Sequence, residues 1–314
     1  MKLGEFSLIK EISKRLVFKD KEVVVGIGDD AAVVKCKDGY QLLTSDGLTE
    51  GSHFVDSWKE VVKELYYYLG KKLVNINASD VASMGGEPKF GLVNLALKER
   101  FSKEKAIEFY EGINEASKEL KVSVVGGNIT KSQNLLFDMF LVGKSSSFML
   151  RSRARPGELV AVSGEVGDSR GGLELLLQGK REPWKLVEKF LSPKARVREG
   201  REVLKLGVKC CTDVSDGLLF NLGTIAESSG VKIEISSSKI PISRELKEVF
   251  KEKALNFGLS GGEDYELITT FPEKLIGKIE ELGFKVIGEI KKGKGVFVDG
   301  KRVKPRGFQH FKEE

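Results

Sequence analysis

Three apolar, β-branched runs at residues 23–27, 32–36 and 41–45 follow one another, separated only by Gly28-Asp29-Asp30-Ala31 and a short turn containing Lys37-Asp38-Gly39. There is no room for a helix between them, and the second break is a hairpin signal. This disposes of one reading. Gly26-Ile27-Gly28, with Asp46 further on, superficially offers the glycine-rich turn of a dinucleotide-binding unit. That turn works by aiming helix N-terminal N–H groups at a pyrophosphate. Here a second strand follows instead, and two carboxylates in the turn would repel phosphate unless a metal came between them. The chain also has no GxxxxGK[ST] phosphate loop, so a P-loop kinase lacks its anchor.

The 314 residues predict two packed units. Residues 5–18 place Phe6, Ile9, Ile12, Leu16 and Val17 at helical spacing. A longer helix is expected over 59–84, with Val62, Leu65, Leu69, Leu73, Ile76 and Met84 on one side and Asn75, Asp80 and Ser83 elsewhere. A strand at 90–98, a helix at 103–118 and strands at 122–125 and 135–142 complete an α+β pattern. Composition shifts at 144–150, which sets expected domains of 1–146 and 147–314. In the second, Arg155-Pro156-Gly157 turns into a strand at 159–163. Helices at 171–178, 185–190, 194–206 and 217–229 and strands at 208–212 and 231–235 follow.

A net charge of +6 is dispersed among acids, which does not favour nucleic-acid binding. Cys36, Cys210 and Cys211 form no CxxC pair, so neither a disulfide framework nor a zinc site is expected, and a reducing cytoplasm fits best. No run approaches the roughly 20 apolar residues of a membrane span.

Acids stand at strand ends and turns: Asp29, Asp30, Asp46, Asp80, Asp213 and Asp216, flanked by Gly, Ser and Thr. A lone Asp in a turn is more often a turn former than a ligand. Six in such phrases suit Mg²⁺, which takes hard oxygens and keeps substrate phosphates in its shell. Zinc would ask for His or Cys, and the histidines are His53 and His310 alone. Phosphoryl transfer is the chemistry that most needs this array, since it demands positioning and charge neutralisation. If the acceptor is itself a phosphate, its oxygen is already anionic and needs no general base. Residues 126–130, Gly-Gly-Asn-Ile-Thr, read equally as a phosphate loop or as a turn between strands. Arg151, Arg153 and Arg155 are candidate phosphate clamps or surface charges.

Together these phrases resemble the thiamine-monophosphate kinase family, part of the superfamily that also holds aminoimidazole ribonucleotide synthetase and selenophosphate synthetase. The matching stretches are Gly4-Glu5-Phe6, GIGDDAAV (26–33), LLTSDGLTEGSHF (42–54), VNINASDVASMGGEPKF (74–90), GGNITKS (126–132), LRSRARPGE (150–158), VSGEVGDSRGGLELL (162–176), TDVSDGL (212–218) and LSGGEDYELI (259–268). The resemblance implies a two-domain α+β fold like aminoimidazole ribonucleotide synthetase. Its N-terminal mixed sheet with helices binds ATP and metal and dimerises, and its C-terminal α/β sandwich completes the active site. It further implies conversion of thiamine monophosphate to thiamine diphosphate by ATP and several Mg²⁺ ions, by direct in-line transfer in a homodimer, with a monovalent cation left open.

By the same resemblance, Asp30, Thr44, Ser45, Asp46, Asp80, Asn128, Asp213 and Asp216 are metal ligands or their neighbours, and Asp46, Asp80 and Asp213 are catalytic. Tyr110, Gly127, Asn128, Arg151 and Ser215 match ATP contacts, and His53, Glu263 and Phe308 match substrate contacts. One departure stands out: the family pattern reads Gly-Gly-Asp where this chain has Asn128, a neutral and weaker oxygen ligand. Selenophosphate synthetase would show a reactive Cys near its N-terminus, and the first here is Cys36 in a strand. A non-catalytic sensor of the same fold is the alternative of a different class.

Overall fold

The computed structural model describes residues 4–305 and 307, so the expected substrate contact Phe308 lies outside the described residues, as does His310. The first half comprises α1 (Glu5–Ser13), β1 (Val23–Val25), β2 (Ala32–Cys36), β3 (Gly39–Thr49), α2 (Leu65–Ser83), β4 (Glu87–Leu97), α3 (Lys103–Leu120), β5 (Ser123–Lys131) and β6 (Leu136–Ser145). Its strands form one sheet in the order β1-β2-β3-β6-β4-β5. β4 and β5 pair in parallel and the other neighbours antiparallel. Side chains alternate along β4 and β6, so Val93, Leu95, Phe137, Met139 and Leu141 join the core with α2 and α3. The opposite face leaves Phe90 and Leu92 exposed, and the edge strand β5 exposes Val125 and Ile129.

The second half comprises β7 (Glu158–Ser163), α4 (Asp168–Leu177), α5 (Trp184–Leu191), α6 (Val197–Lys205), β8 (Cys210–Asp213), α7 (Leu218–Ser229), β9 (Lys232–Ile235), α8 (Arg244–Phe250), α9 (Lys253–Ser260), β10 (Leu267–Pro272), α10 (Ile276–Glu281), β11 (Phe284–Lys291), β12 (Gly295–Val298) and β13 (Lys301–Val303). Its sheet runs β13-β12-β9-β11-β7-β10-β8. Both faces are covered. Val160 and Val162 of β7 pack with α7 residues such as Leu218 and Leu222, whereas Ala161 between them packs with Val203 of α6 and Ile279 of α10. The expected α+β class is what forms.

Three local expectations change. α1 stops at Ser13, leaving Val17 89% exposed instead of on a helical stripe. The helix expected from 59 begins at Leu65, after a short 3₁₀ turn at Asp56–Glu60. Its start is set from a distance: the Glu108 carboxylate of α3 accepts the N–H groups of Tyr66 and Tyr67, satisfying donors that a helix N-terminus leaves open. The segment 126–130 is neither loop nor turn. It continues β5, with Gly127 paired to Val93 and Asn128 to Asn94. Glycine is required at 127, where φ is +153° and a Cβ would lie 1.7 Å from the Val93 carbonyl oxygen.

α2 is buried almost all round, its polar residues Lys72, Asn75, Asn77, Ser79 and Ser83 included. It approaches α3 so closely that a Cβ at Gly70 would sit 2.0 Å from the Phe109 carbonyl oxygen, and one at Gly112 1.9 Å from that of Tyr67.

Candidate active site

The polar residues of α2 all find partners, and those partners come from both halves of the chain. Asn77 accepts the Asp46 N–H at 2.9 Å and donates to the Asp46 carbonyl at 3.2 Å, fixing β3 where the acid stands. Thr44 donates to Asp80 at 2.5 Å, and Ser83 to Asp30 at 2.8 Å. From the second half, Asp213 at the end of β8 accepts from Ser79 at 2.5 Å, and the Ala195 N–H donates to Asn75 at 3.0 Å. Buried polar side chains must be satisfied. Here that requirement docks the two halves around the acids.

Carboxylate oxygens of Asp30, Asp80 and Asp213 consequently lie within 4.8 Å of one another. Asp30 and Asp80 border a cavity of about 640 Å³, with Asp213 buried beside them; Thr44, Ser45, Asp46, His53, Arg151, Ser215, Asp216 and Glu263 are among its other lining residues. Burial, then the charges of Asp46 and Asp213, push the Asp80 carboxyl well above the usual range. Burial, followed by Asp138 and Glu263, raises Asp46 to about 7. Burial and Asp30 raise Asp213 to about 8, against the Ser79 hydrogen bond. Asp216 rises to about 7, through burial and then Glu5. Arg151 offsets part of this crowding. Its guanidinium bonds Asp30, its Nε donates to Thr212 at 3.2 Å and its backbone N–H to Asp29 at 3.2 Å.

This donor set fits a hard cation. Asp213 Oδ1 is buried with no hydrogen-bond partner among the described residues, and several closely spaced carboxylate oxygens with hydroxyls beside them are what Mg²⁺ takes.

Across the cavity, the turn after β8 and the one before β10 lie backbone to backbone. The Glu263 N–H donates to the Ser215 carbonyl at 2.6 Å and the Tyr265 N–H to that of Val214 at 2.9 Å. Glycines permit the approach: a Cβ at Gly262 would lie 2.7 Å from the Ser215 carbonyl oxygen. Glu263 itself has φ +64°, a left-handed conformation uncommon outside glycine. Its side chain lines the cavity, whereas Asp264 turns inward and accepts the N–H groups of Gly167 and Ser169 at the start of α4. His53 lines the same cavity, with its Nδ1 accepting the Thr49 N–H at 3.0 Å.

Three expected contacts stand apart from this group. Tyr110 lies on α3, 39% exposed, and does not line the cavity. Gly127 and Asn128 lie on the exposed edge strand β5. In register, Asn128 pairs with Asn94, which pairs with Asp138 on β6, so two strand spacings, about 10 Å, separate it from Asp138. Of the arginines, Arg151 reaches the cavity, while Arg153 stacks on Phe148.

The sequence reading passed over Asp138 and Lys72. Asp138 accepts from Ser45 at 3.2 Å and Asn94 at 3.1 Å. It sits in a plain β run, and only strand register puts it beside Asp46. Lys72 looked like one more surface lysine.

The chain matches the family models described as AIR synthase related protein, N-terminal domain, over residues 28–145 and C-terminal domain over 155–301. A thiamine-monophosphate kinase of Aquifex aeolicus (strain VF5) is 42% identical, covering 98% of both chains, and one of Pyrococcus horikoshii is 36% identical over 91% of both. Among solved structures, AaThiL complexed with AMPPCP and TMP superposes with a TM-score of 0.90 at 40% identity, covering 99% of each chain. Thiamine-monophosphate kinase from Stenotrophomonas maltophilia K279a gives 0.79 at 30% identity, covering 96% of this chain and 99% of that one. With both domains matched in order and close relatives spanning the full length, the chain belongs to the thiamine-monophosphate kinase family of AIR synthase related proteins.

Proposed function

We propose that the protein transfers the γ-phosphoryl group of ATP to the phosphate of thiamine monophosphate, giving thiamine diphosphate and ADP. The observation that carries this reading is the convergence of Asp30, Asp46, Asp80 and Asp216, from both halves, on one cavity beside Arg151, with the buried Asp213 against Asp30 and Asp80. An acceptor phosphate oxygen attacks γ-phosphorus, the bond to the β,γ-bridging oxygen breaks, and ADP leaves with that electron pair. The acceptor oxygen is anionic from the start, so no side chain has to remove a proton. Arg151 is placed to meet phosphate oxygens with a forked donor. Glu263 faces a cationic thiazolium or accepts from an aminopyrimidine, with His53 on the same wall.

Mg²⁺ held by Asp30, Asp80 and Asp213, with Asp46, Asp216, Thr44 and Ser45 alongside, would neutralise charge on the transferring group. The apposed hydroxyls and amides keep those carboxylates oriented, as Thr44 does for Asp80 and Asn77 for the Asp46 backbone.

The reading extends to a cytoplasmic homodimer, in keeping with three free thiols and with the open first sheet. Its uncovered face carries Phe90 and Leu92, beside the edge strand β5 with Val125 and Ile129 exposed and no further strand among the described residues, a surface a second copy would cover. The proposed division of labour places ATP, metal and dimer contacts in residues 1–146 and the completing wall in 147–314. A partner is also what would carry Tyr110, Gly127 and Asn128 to a nucleotide.

Purified protein with Mg²⁺, ATP and thiamine monophosphate should yield ADP and thiamine diphosphate in equal amounts. ATP binding without diphosphate would favour a sensor, and free phosphate without phosphorylated thiamine would favour a synthetase. Asp46→Asn should cut kcat by roughly two to three orders of magnitude with folding intact, and unchanged kcat would remove Asp46 from the mechanism.

A further inference from the structure

Lys72 is fully buried in the middle of α2, and its Nζ lies 2.8 Å from Glu263 Oε1. The same ammonium sits 4.0 Å from the centroid of the Phe190 ring, which also lines the cavity. Neither Lys72 Nζ nor Glu263 Oε1 has another hydrogen-bond partner among the described residues. A buried ion pair is poor value for stability, because apolar residues of similar volume often replace it without loss. A lysine sunk to its tip, whose one carboxylate partner stands at a cavity wall, therefore calls for a reason at that wall.

Glu263 supplies the reason. It occupies a left-handed backbone conformation that its own N–H bond to Ser215 helps to hold. Its neighbours across the cavity include Asp46, on whose carboxyl it acts as a like charge. Burial pulls the Lys72 amino group down and the Glu263 carboxylate pulls it back up; held on α2, that nitrogen is a fixed anchor for one carboxylate oxygen.

We propose that Lys72 is a positioning residue for the acceptor subsite: acting through Glu263, it anchors one oxygen of that carboxylate and keeps the group aimed at the cationic, N–H-bearing thiamine moiety. This rests on the kinase reading above and adds a residue to it. Lys72 does not itself line the cavity and reaches it through Glu263, so its effect is expected to fall on one substrate.

Initial rates with ATP and thiamine monophosphate each varied, for wild type, Lys72→Met, Glu263→Gln and the double variant, test it. Lys72→Met is expected to raise KM for thiamine monophosphate by about tenfold or more while KM for ATP moves less than about threefold, and the double variant should match Glu263→Gln. If the two KM values rise together, or the double variant falls more than about tenfold below Glu263→Gln, Lys72 does not act through Glu263 and the assignment is overturned. If Lys72→Met fails to fold, the double variant, which leaves no buried charge unpaired, carries the comparison. Folding with Glu263→Gln kinetics supports the proposal, and failure to fold overturns it in favour of a structural lysine. Wild-type protein that makes no thiamine diphosphate refutes the function itself, whereas wild-type turnover with an unaffected Lys72→Met refutes only the positioning role.

Discussion

Mg²⁺ affinity should climb steeply between pH 6 and 8, because the protein fold alone keeps Asp46 near about 7 and Asp213 near about 8. Both lie above their unfolded value of 3.8. Each group therefore contributes its full stability below about pH 4 and loses it as the pH rises to the folded value, after which nothing more is lost. The metal needs both carboxylates ionised. At pH 6 ionising Asp46 costs about 1 kcal/mol and Asp213 about 3, roughly 4 together, against less than about 1 at pH 8. The difference, about 3–4 kcal/mol, is two to three orders of magnitude in apparent affinity.

Calorimetric titration of metal-free protein with MgCl₂, in buffers of different ionisation enthalpy, reads this directly. Asp46 and Asp213 should together release about two protons per site at pH 6 and less than about one at pH 8, with the raised Asp80 adding to the total at both. Asp213→Asn should shrink the pH span to about tenfold, the share left to Asp46. An affinity that changes less than about tenfold in the wild type, with no protons released, would show that these carboxyls are not the ligands.

Without metal, the melting temperature should fall as the pH rises from 5 to 8, and added Mg²⁺ should restore most at pH 8; scanning calorimetry at both ends decides it. Ser79→Ala strips the O–H donor from Asp213 and should cost about 1–3 kcal/mol in urea titrations while weakening Mg²⁺ binding. Gly112→Val forces side-chain atoms into the Tyr67 carbonyl of α2, so a loss of more than about 3 kcal/mol is expected, and a loss below about 1 would mean that the two helices can part. Leu92→Lys should give monomers in sedimentation velocity if the open sheet face is the dimer interface. Chains carrying Asp46→Asn and Asn128→Lys, co-expressed, should regain turnover that neither homodimer shows if Asn128 serves the partner's site.

The acidic phrases were legible because glycine, serine and aspartate at strand ends have few purely structural reasons to recur together. Most strands and the α3 helix were legible from periodicity alone. What escaped was set by partners distant in the chain. The start of α2 depends on the Glu108 carboxylate, 42 residues away, accepting the Tyr66 N–H, and no local signal announces it. Residues 126–130 read as a loop because glycine and asparagine favour turns, yet pairing with β4 needs a glycine where the Val93 carbonyl intrudes. Asp138 becomes a neighbour of Asp46 only through the β3–β6 register. Lys72 lay on the same helical run as Asp80 and still looked ordinary, since a lysine is almost never buried without a partner and its partner was 191 positions on.

The contacts of α2 also imply how this chain can change over time. From Lys72 to Ser83 one rigid rod sets the rotational phase of Glu263, the Ala195 loop, β3, Asp213 and Asp30. Successive helical residues are about 100° apart, so inserting or deleting a single residue in that interval would turn one end of the rod away from every partner at once. Substitutions there can be absorbed one at a time. The count of residues cannot drift, and the length of this segment should be more strictly kept than its composition.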